Sequence, residues 1–179
     1  MELDPLSLVI NLLVARPLYY ARRYDEAVEQ ARKVLEMDPV FPLPYLQLGV
    51  AHAALERPGA AIADLVRFAE LTGRSTLSVA LLSFVHGRSG DRAAATRLLE
   101  ELRTAAARTY VPSYQVAAAY IGLDDRDRAF AWLDKACDER SDALLDLAVE
   151  PCFDSLRGDP RFAALQRRVG LEAGGQRAS

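Results

Sequence analysis

Two histidines, two cysteines and one acidic run are the places where this chain of 179 residues could carry chemistry. His52 and His86 qualify because imidazole titrates near neutrality and is the commonest metal ligand. Their positions differ by 86 − 52 = 34. Cys137 and Cys152 could supply a thiolate, but a nucleophile needs an adjacent base and a structural zinc needs four ligands, and neither pattern surrounds them. The run LDDRDR (123–128) offers carboxylates to a cation without the spacing of a calcium-binding loop. AGG (173–175) precedes no helix, so it is not a phosphate loop. No constellation for catalysis emerges. The expectation is a chain that is not an enzyme and uses no metal or other cofactor.

Composition narrows the remaining classes. Hydrophobic residues make up 51% and the formal net charge is −3, which argues against direct nucleic-acid binding. The longest apolar stretch, LSLVINLLVA (7–16), stops at Arg16-Pro17 and has no basic segment before it. That excludes membrane insertion by this run and gives no signal peptide. Two cysteines make no disulfide framework, so a cytoplasmic setting is the simplest expectation.

The elements that would position any site repeat at the interval that separates the histidines. Ala27, Ala61, Ala95 and Ala129 recur at that same interval. In four blocks, 8–41, 42–75, 76–109 and 110–143, the column Ala15, Gly49, Ser83, Ala117 is uniformly small. The columns Val14, Leu48, Leu82, Val116 and Ala31, Leu65, Leu99, Leu133 are apolar. Two small columns per block mark where paired helices cross too closely for a larger side chain, and apolar columns three or four apart supply the buried stripes. The histidine position is shared with Leu18 and Tyr120, so it reads as a packing position. Trp132, on the second helix of its block, reads the same way.

Punctuation agrees. Breaks fall at Arg22-Arg23, ERPG (56–59), SGD (89–91) and LDDRD (123–127), where Asp91 and Asp125 can cap the helix that follows. Pro42, Pro44 and Pro58 suit first helical turns. Pro17 falls inside the first helix and is expected to kink or shorten it.

These residues carry a resemblance. YDEAVEQARKVLEMDP (24–39) resembles the second half of a tetratricopeptide repeat, and YLQLGVAHAAL (45–55) resembles the first half, with Leu48-Gly49 matching the family's leucine–glycine pair. The segment 146–171, with LRGDPRF as its specific part, is similar to the end of bacterial arrays of this kind. The resemblance implies an all-α fold, a right-handed superhelical solenoid of about four helix–turn–helix hairpins with a C-terminal capping helix. It implies a protein-interaction scaffold acting as the sensor or scaffold region of a larger bacterial regulator of transcription-factor or serine/threonine-kinase type. The alternative is an oligomerisation module for attached effector domains, a homo-oligomer formed through the N-terminal face.

Pro5 stands one such interval before Pro39, so residues 1–7 read as the remnant of a preceding repeat. Leu144, Leu145 and Leu147 are expected to start a fifth first-helix that Pro151 stops. Phe153, Leu156, Phe162, Leu165 and Val169 then cap the last hairpin, making 144–171 the cap and 172–179 a disordered tail.

What remains for function is a surface. The family's groove positions, carried over in register, include Val9, Leu12, Arg16, Tyr19 and Tyr20, then Leu43, Leu46, Val50, Ala53 and Ala54. Further along they include Leu77, Ala80, Phe84, Arg88, Val111, Tyr114, Ala118 and Ile121. Arg16, Tyr19, Tyr20, Leu46, Val50, Phe84, Arg88 and Tyr114 are the expected partner-binding residues, aromatics as anchors and arginines for a carboxylate of a protein or peptide partner. The competing expectation is that a neighbouring helix or domain of the same protein fills the groove.

Overall fold

The computed structural model describes residues 8–171 and the side chains of residues 14–171, so the expectations for 1–7 and 172–179 lie outside it. Among the described residues every regular element is helical and there is no strand. Eight α-helices form four consecutive pairs: α1 (Leu8–Tyr20) with α2 (Tyr24–Met37), α3 (Pro42–Ala54) with α4 (Pro58–Leu71), α5 (Thr76–Arg88) with α6 (Arg92–Ala106), and α7 (Ser113–Gly122) with α8 (Arg126–Asp138). Three residues join the partners of each pair, a length that reverses the chain into a helical hairpin. Two 3-10 turns, Asp142–Asp146 and Pro151–Leu156, and helix α9 (Pro160–Arg168) complete the described chain. No described helix is long and apolar enough to cross a membrane.

The four reversals are built alike. Arg22, Glu56, Gly90 and Asp124, each one repeat interval after the last, adopt positive φ of 65°, 56°, 90° and 56°. Each donates its N–H to the carbonyl three residues back: Tyr19, Ala53, Gly87 and Ile121. In three of them the next N–H reaches five residues back, from Arg23 to Leu18, Arg57 to His52 and Asp125 to Tyr120, satisfying carbonyls the helix end would leave open. Only the third reversal uses glycine, the residue for which this conformation costs nothing. The helices that follow start as their sequences dictate. Asp91 accepts from the Ala94 N–H at 3.0 Å and Asp125 from the Arg128 N–H at 3.1 Å. Pro42 and Pro58 each occupy a first helical turn.

Packing follows the small columns. Ala27, Ala61, Ala95 and Ala129 are all 1% exposed or less, and Ala15, Gly49, Ser83 and Ala117 are buried as well. A Cβ on Gly49 would stand 2.6 Å from Cγ of Leu65, which is why glycine occupies that crossing. A second close approach lies outside the small columns. Between α5 and α7, a Cβ on Gly87 would meet the Gly122 backbone at 2.5 Å, and one on Gly122 would meet Cα of Phe84 at 2.5 Å.

Two expectations need correction. α1 is not shortened by Pro17 but runs through it to Tyr20. The proline removes one backbone donor, and its own carbonyl still accepts from the Ala21 N–H at 2.8 Å. The fifth first-helix is not an α-helix. Leu144 is buried on a single 3-10 turn and Leu147 just past its end, while Leu145 stays exposed.

The end segment packs onto the last hairpin. Phe153, Leu156, Phe162 and Leu165 are at most 2% exposed and share one apolar cluster with Val116, Phe130 and Leu133, with Val169 packed against it. LRGDPRF has a local explanation. Asp159 caps α9 by accepting from the Arg161 N–H at 2.9 Å, Pro160 fills the first turn, and Phe162 is the buried plug. Arg161 bonds Asp127 on α8 at 2.8 Å and lies 4.3 Å from the Phe130 ring centroid. Its pairing with Asp159 holds that carboxyl at about 2. Arg168 adds bonds to Asp134 at 2.6 Å and Asp138 at 2.8 Å.

Candidate binding groove

The first helices of the four pairs turn one face each towards a common cavity of about 970 Å³. Arg16, Tyr19 and Tyr20 reach it from α1, Leu46 and Val50 from α3, Phe84 and Arg88 from α5, and Tyr114 from α7. Leu43, Ala53, Ala54, Leu77 and Ala118 line it too. The register explains this, because residues three and four apart on a helix share a face. Ala80, Val111 and Ile121 do not reach the cavity and are buried in the core instead. The side chains of Val9 and Leu12 lie outside the described residues.

The opposite wall is the chain's own C-terminal segment, which crosses from the end of α8 back to α1. Tyr19 donates its hydroxyl to Oε1 of Glu150 at 2.7 Å, and Tyr20 donates to Oδ2 of Asp146 at 2.9 Å. Arg16 pairs with Asp146 and donates from Nε to the Tyr20 hydroxyl at 2.9 Å. Arg22 grips Asp154 with two bonds, at 2.7 and 2.8 Å, and Arg157 takes the same carboxylate at 2.7 Å. Below this rim Tyr114 meets the edge of Phe153, ring centroids 5.9 Å apart.

Two of the expected residues have partners within the chain. Arg16 holds the carboxylate of Asp146 while its side chain stays 56% exposed. Tyr19 is 5% exposed and tied to Glu150. Arg88 is exposed at the rim, with no ion-pair partner among the described residues.

Burial shapes the electrostatics. It raises the Glu150 carboxyl above its ordinary value, against the bonds from Tyr19 and the Cys152 N–H, which favour the charged form. Burial also lifts the hydroxyls of Tyr19 and Tyr114 and the Cys152 thiol well above their usual ranges, and that of Tyr20 to about 12. Cys152 is therefore a protonated, unreactive thiol at neutral pH. Burial likewise raises Cys137.

Neither histidine lines the cavity, yet each has a carboxylate. Nδ1 of His52, 6% exposed, lies 2.7 Å from Oδ2 of Asp64, and His86 lies 3.2 Å from Asp91. Asp64 is raised by burial, with His52 pulling the other way. The repeat register places both histidines in the packing column, and the twelve-residue offset from His52 to Asp64 gave no signal in the sequence. No group of three His, Cys, Asp or Glu residues among those described fits a metal ion.

Two lining residues had drawn little attention in the sequence. Gln47 and Gln115 occupy the same repeat position in the second and fourth blocks, and the amide oxygen of each is buried with no hydrogen-bond partner. The carboxylates at 142, 146, 150 and 154 recur every fourth position, a visible pattern whose partners on α1 and its turn were not. Compared with family models and with curated proteins, the chain matches none.

Proposed function

We propose that the chain is a non-catalytic protein-interaction scaffold, a right-handed superhelical array of four tetratricopeptide-type hairpins with a capping helix, receiving a segment of a protein or peptide partner in its groove. One observation carries this reading: the eight residues expected from the family's groove positions, carried over in register, line one cavity. Tyr20, Phe84 and Tyr114 give it aromatic surface and Leu46 and Val50 aliphatic surface, the lining of a site that takes apolar anchors. The wider setting, the sensor or scaffold region of a cytoplasmic regulator, is supported by the resemblance of the end segment.

The test is an ordered pair of substitutions. Phe84 lies mid-array, where a contact is best shielded from water, so Phe84→Ala is expected to weaken a partner recovered by pull-down more than Arg88→Ala does, with the helical signal intact. A partner indifferent to both and sensitive to Glu29 or Arg97, on the second helices, would move the site to the other face and end this reading.

A second reading, oligomerisation through the N-terminal face, is favoured by Val14. It is 43% exposed, whereas Leu48, Leu82 and Val116 at the same repeat position are 2–4% exposed. Among the described residues its face is open where the equivalent faces are covered, as a second copy would cover it. Light scattering across a concentration series separates the two readings.

A further inference from the structure

We propose that the groove, closed by the C-terminal segment, is a binding site for a small organic cation: a protonated amine on an apolar or aromatic body. This goes beyond the scaffold reading and needs no protein partner. Its volume of about 970 Å³ falls at the upper end of small-ligand pockets, about 300–1,000 Å³.

Charge and hydrogen-bond chemistry select the ligand. Glu56, Asp142, Asp146, Glu150 and Asp154 line the cavity, against only Arg16 and Arg88. Two of the acids are already neutralised, Asp146 by Arg16 and Asp154 by Arg22 and Arg157. Glu150 is different. Its hydrogen-bond donors among the described residues, the Tyr19 hydroxyl and the Cys152 N–H, are neutral, and both bonds end on Oε1. The inner carboxylate of the site thus takes no hydrogen bond from a cation. Around it lie tyrosines 19 and 114 and, across the cavity, Phe84, rings whose faces attract an organic cation, while the Tyr20 ring already carries Arg16 at 5.3 Å.

The amides point the same way. The oxygens of Gln47 and Gln115 are acceptors without donors, and the terminal torsion of glutamine is soft enough to turn them to a donor in the cavity. An ammonium brings three donors and no acceptor, so it suits Glu150 and both amide oxygens. A carboxylate ligand would meet only Arg88.

The test uses the full chain and three probes of one size: phenethylamine, 2-phenylethanol and 3-phenylpropionate, each titrated near neutral pH by NMR. The amine is expected to bind at least about tenfold more tightly than the alcohol or the acid. Glu150→Gln keeps an oxygen for Tyr19 and removes the charge, and is expected to erase that preference. Gln47→Leu, which copies Leu81 at the same repeat position, is expected to weaken the amine with the fold unchanged. The groups facing Glu150 are Arg16 and Tyr19 of α1, Tyr114 of α7, and Asp146, Cys152 and Asp154 of the C-terminal segment. Burial raises the Glu150 carboxyl above its ordinary value, so amine affinity should rise with pH until Glu150 is fully ionised. Equal binding of all three probes, tighter binding of the acid, or an amine preference that survives Glu150→Gln overturns the proposal. So does binding of a lysine-centred pentapeptide with none of the free amine, a result that leaves the scaffold reading standing.

Discussion

Replacing Gly122 with alanine tests the crossing on which the groove is built. The added Cβ would stand 2.5 Å from Cα and 2.6 Å from the carbonyl oxygen of Phe84. Non-bonded carbons rest at about 3.5–4.0 Å, so α5 and α7 must part by roughly 1 Å. Both contacts are backbone atoms, and no rotamer change relieves them. The cost therefore falls near the top of the usual overpacking range, about 3 kcal/mol. Alanine returns about 1 kcal/mol through its helix propensity, leaving a net loss of about 2 kcal/mol. At roughly 2–4 °C per kcal/mol for a chain of this size, the melting midpoint should fall by about 4–8 °C. Gly59→Ala is the internal control. Nothing lies within 4 Å of its added Cβ on α4, so the same change should stabilise, by up to about 1 kcal/mol. Thermal and urea denaturation followed by circular dichroism read both. A Gly122→Ala chain that melts no earlier than the wild type, or two variants that shift in the same direction, would refute the geometry of this crossing.

Ala61 is fully buried at the crossing of its hairpin, so Ala61→Leu should cost about 1–3 kcal/mol in a denaturant titration. Tyr19→Phe leaves Glu150 without its buried donor and should cost about 1–3 kcal/mol. Arg22→Ala removes an ion pair between partly exposed groups and should cost less than about 1 kcal/mol, so the order of the two midpoints is the test. Glu150 also makes stability depend on pH. Its folded-state pKa is raised, so the native chain holds a proton that unfolding releases, and wild-type stability rises relative to Glu150→Gln as pH falls through the folded value towards the ordinary 4.5. The wild-type midpoint should rise relative to that of the variant from pH 7 to pH 5; parallel curves would show that the carboxyl titrates normally.

The parts of the fold that were readable were those the chain states four times. A small side chain at a crossing is demanded by backbone distance, so Ala27, Ala61, Ala95 and Ala129 announce their crossings without any partner being known. The cavity-lining residues followed once the family resemblance supplied the positions, because a fixed register on successive first helices fixes the face each presents. What happens once was hidden. The Gly87–Gly122 contact joins different repeat positions, so no column displays it. Leu144, Leu145 and Leu147 have helical spacing, but the segment is held by burial of Leu144 and Leu147 rather than by its own periodicity, and it settles as a 3-10 turn. Most hidden was the return of that segment to α1. A bond such as Tyr19–Glu150 joins opposite ends of the described chain, and no local rule links the two.

That bond has a consequence for how the molecule comes apart. An array whose neighbours touch only in sequence order melts inward from its termini, each end unit being held on one side only. Here the first helix is fastened to Asp146, Glu150 and Asp154, and Phe153 and Leu156 beside them are rooted in the core of the last hairpin. Neither terminal unit can peel away without breaking contacts at the other. Amide hydrogens at the end of α1 and in the closing turns should therefore exchange as one cooperative unit, with the slow kinetics of a long loop that must be re-closed each time it opens.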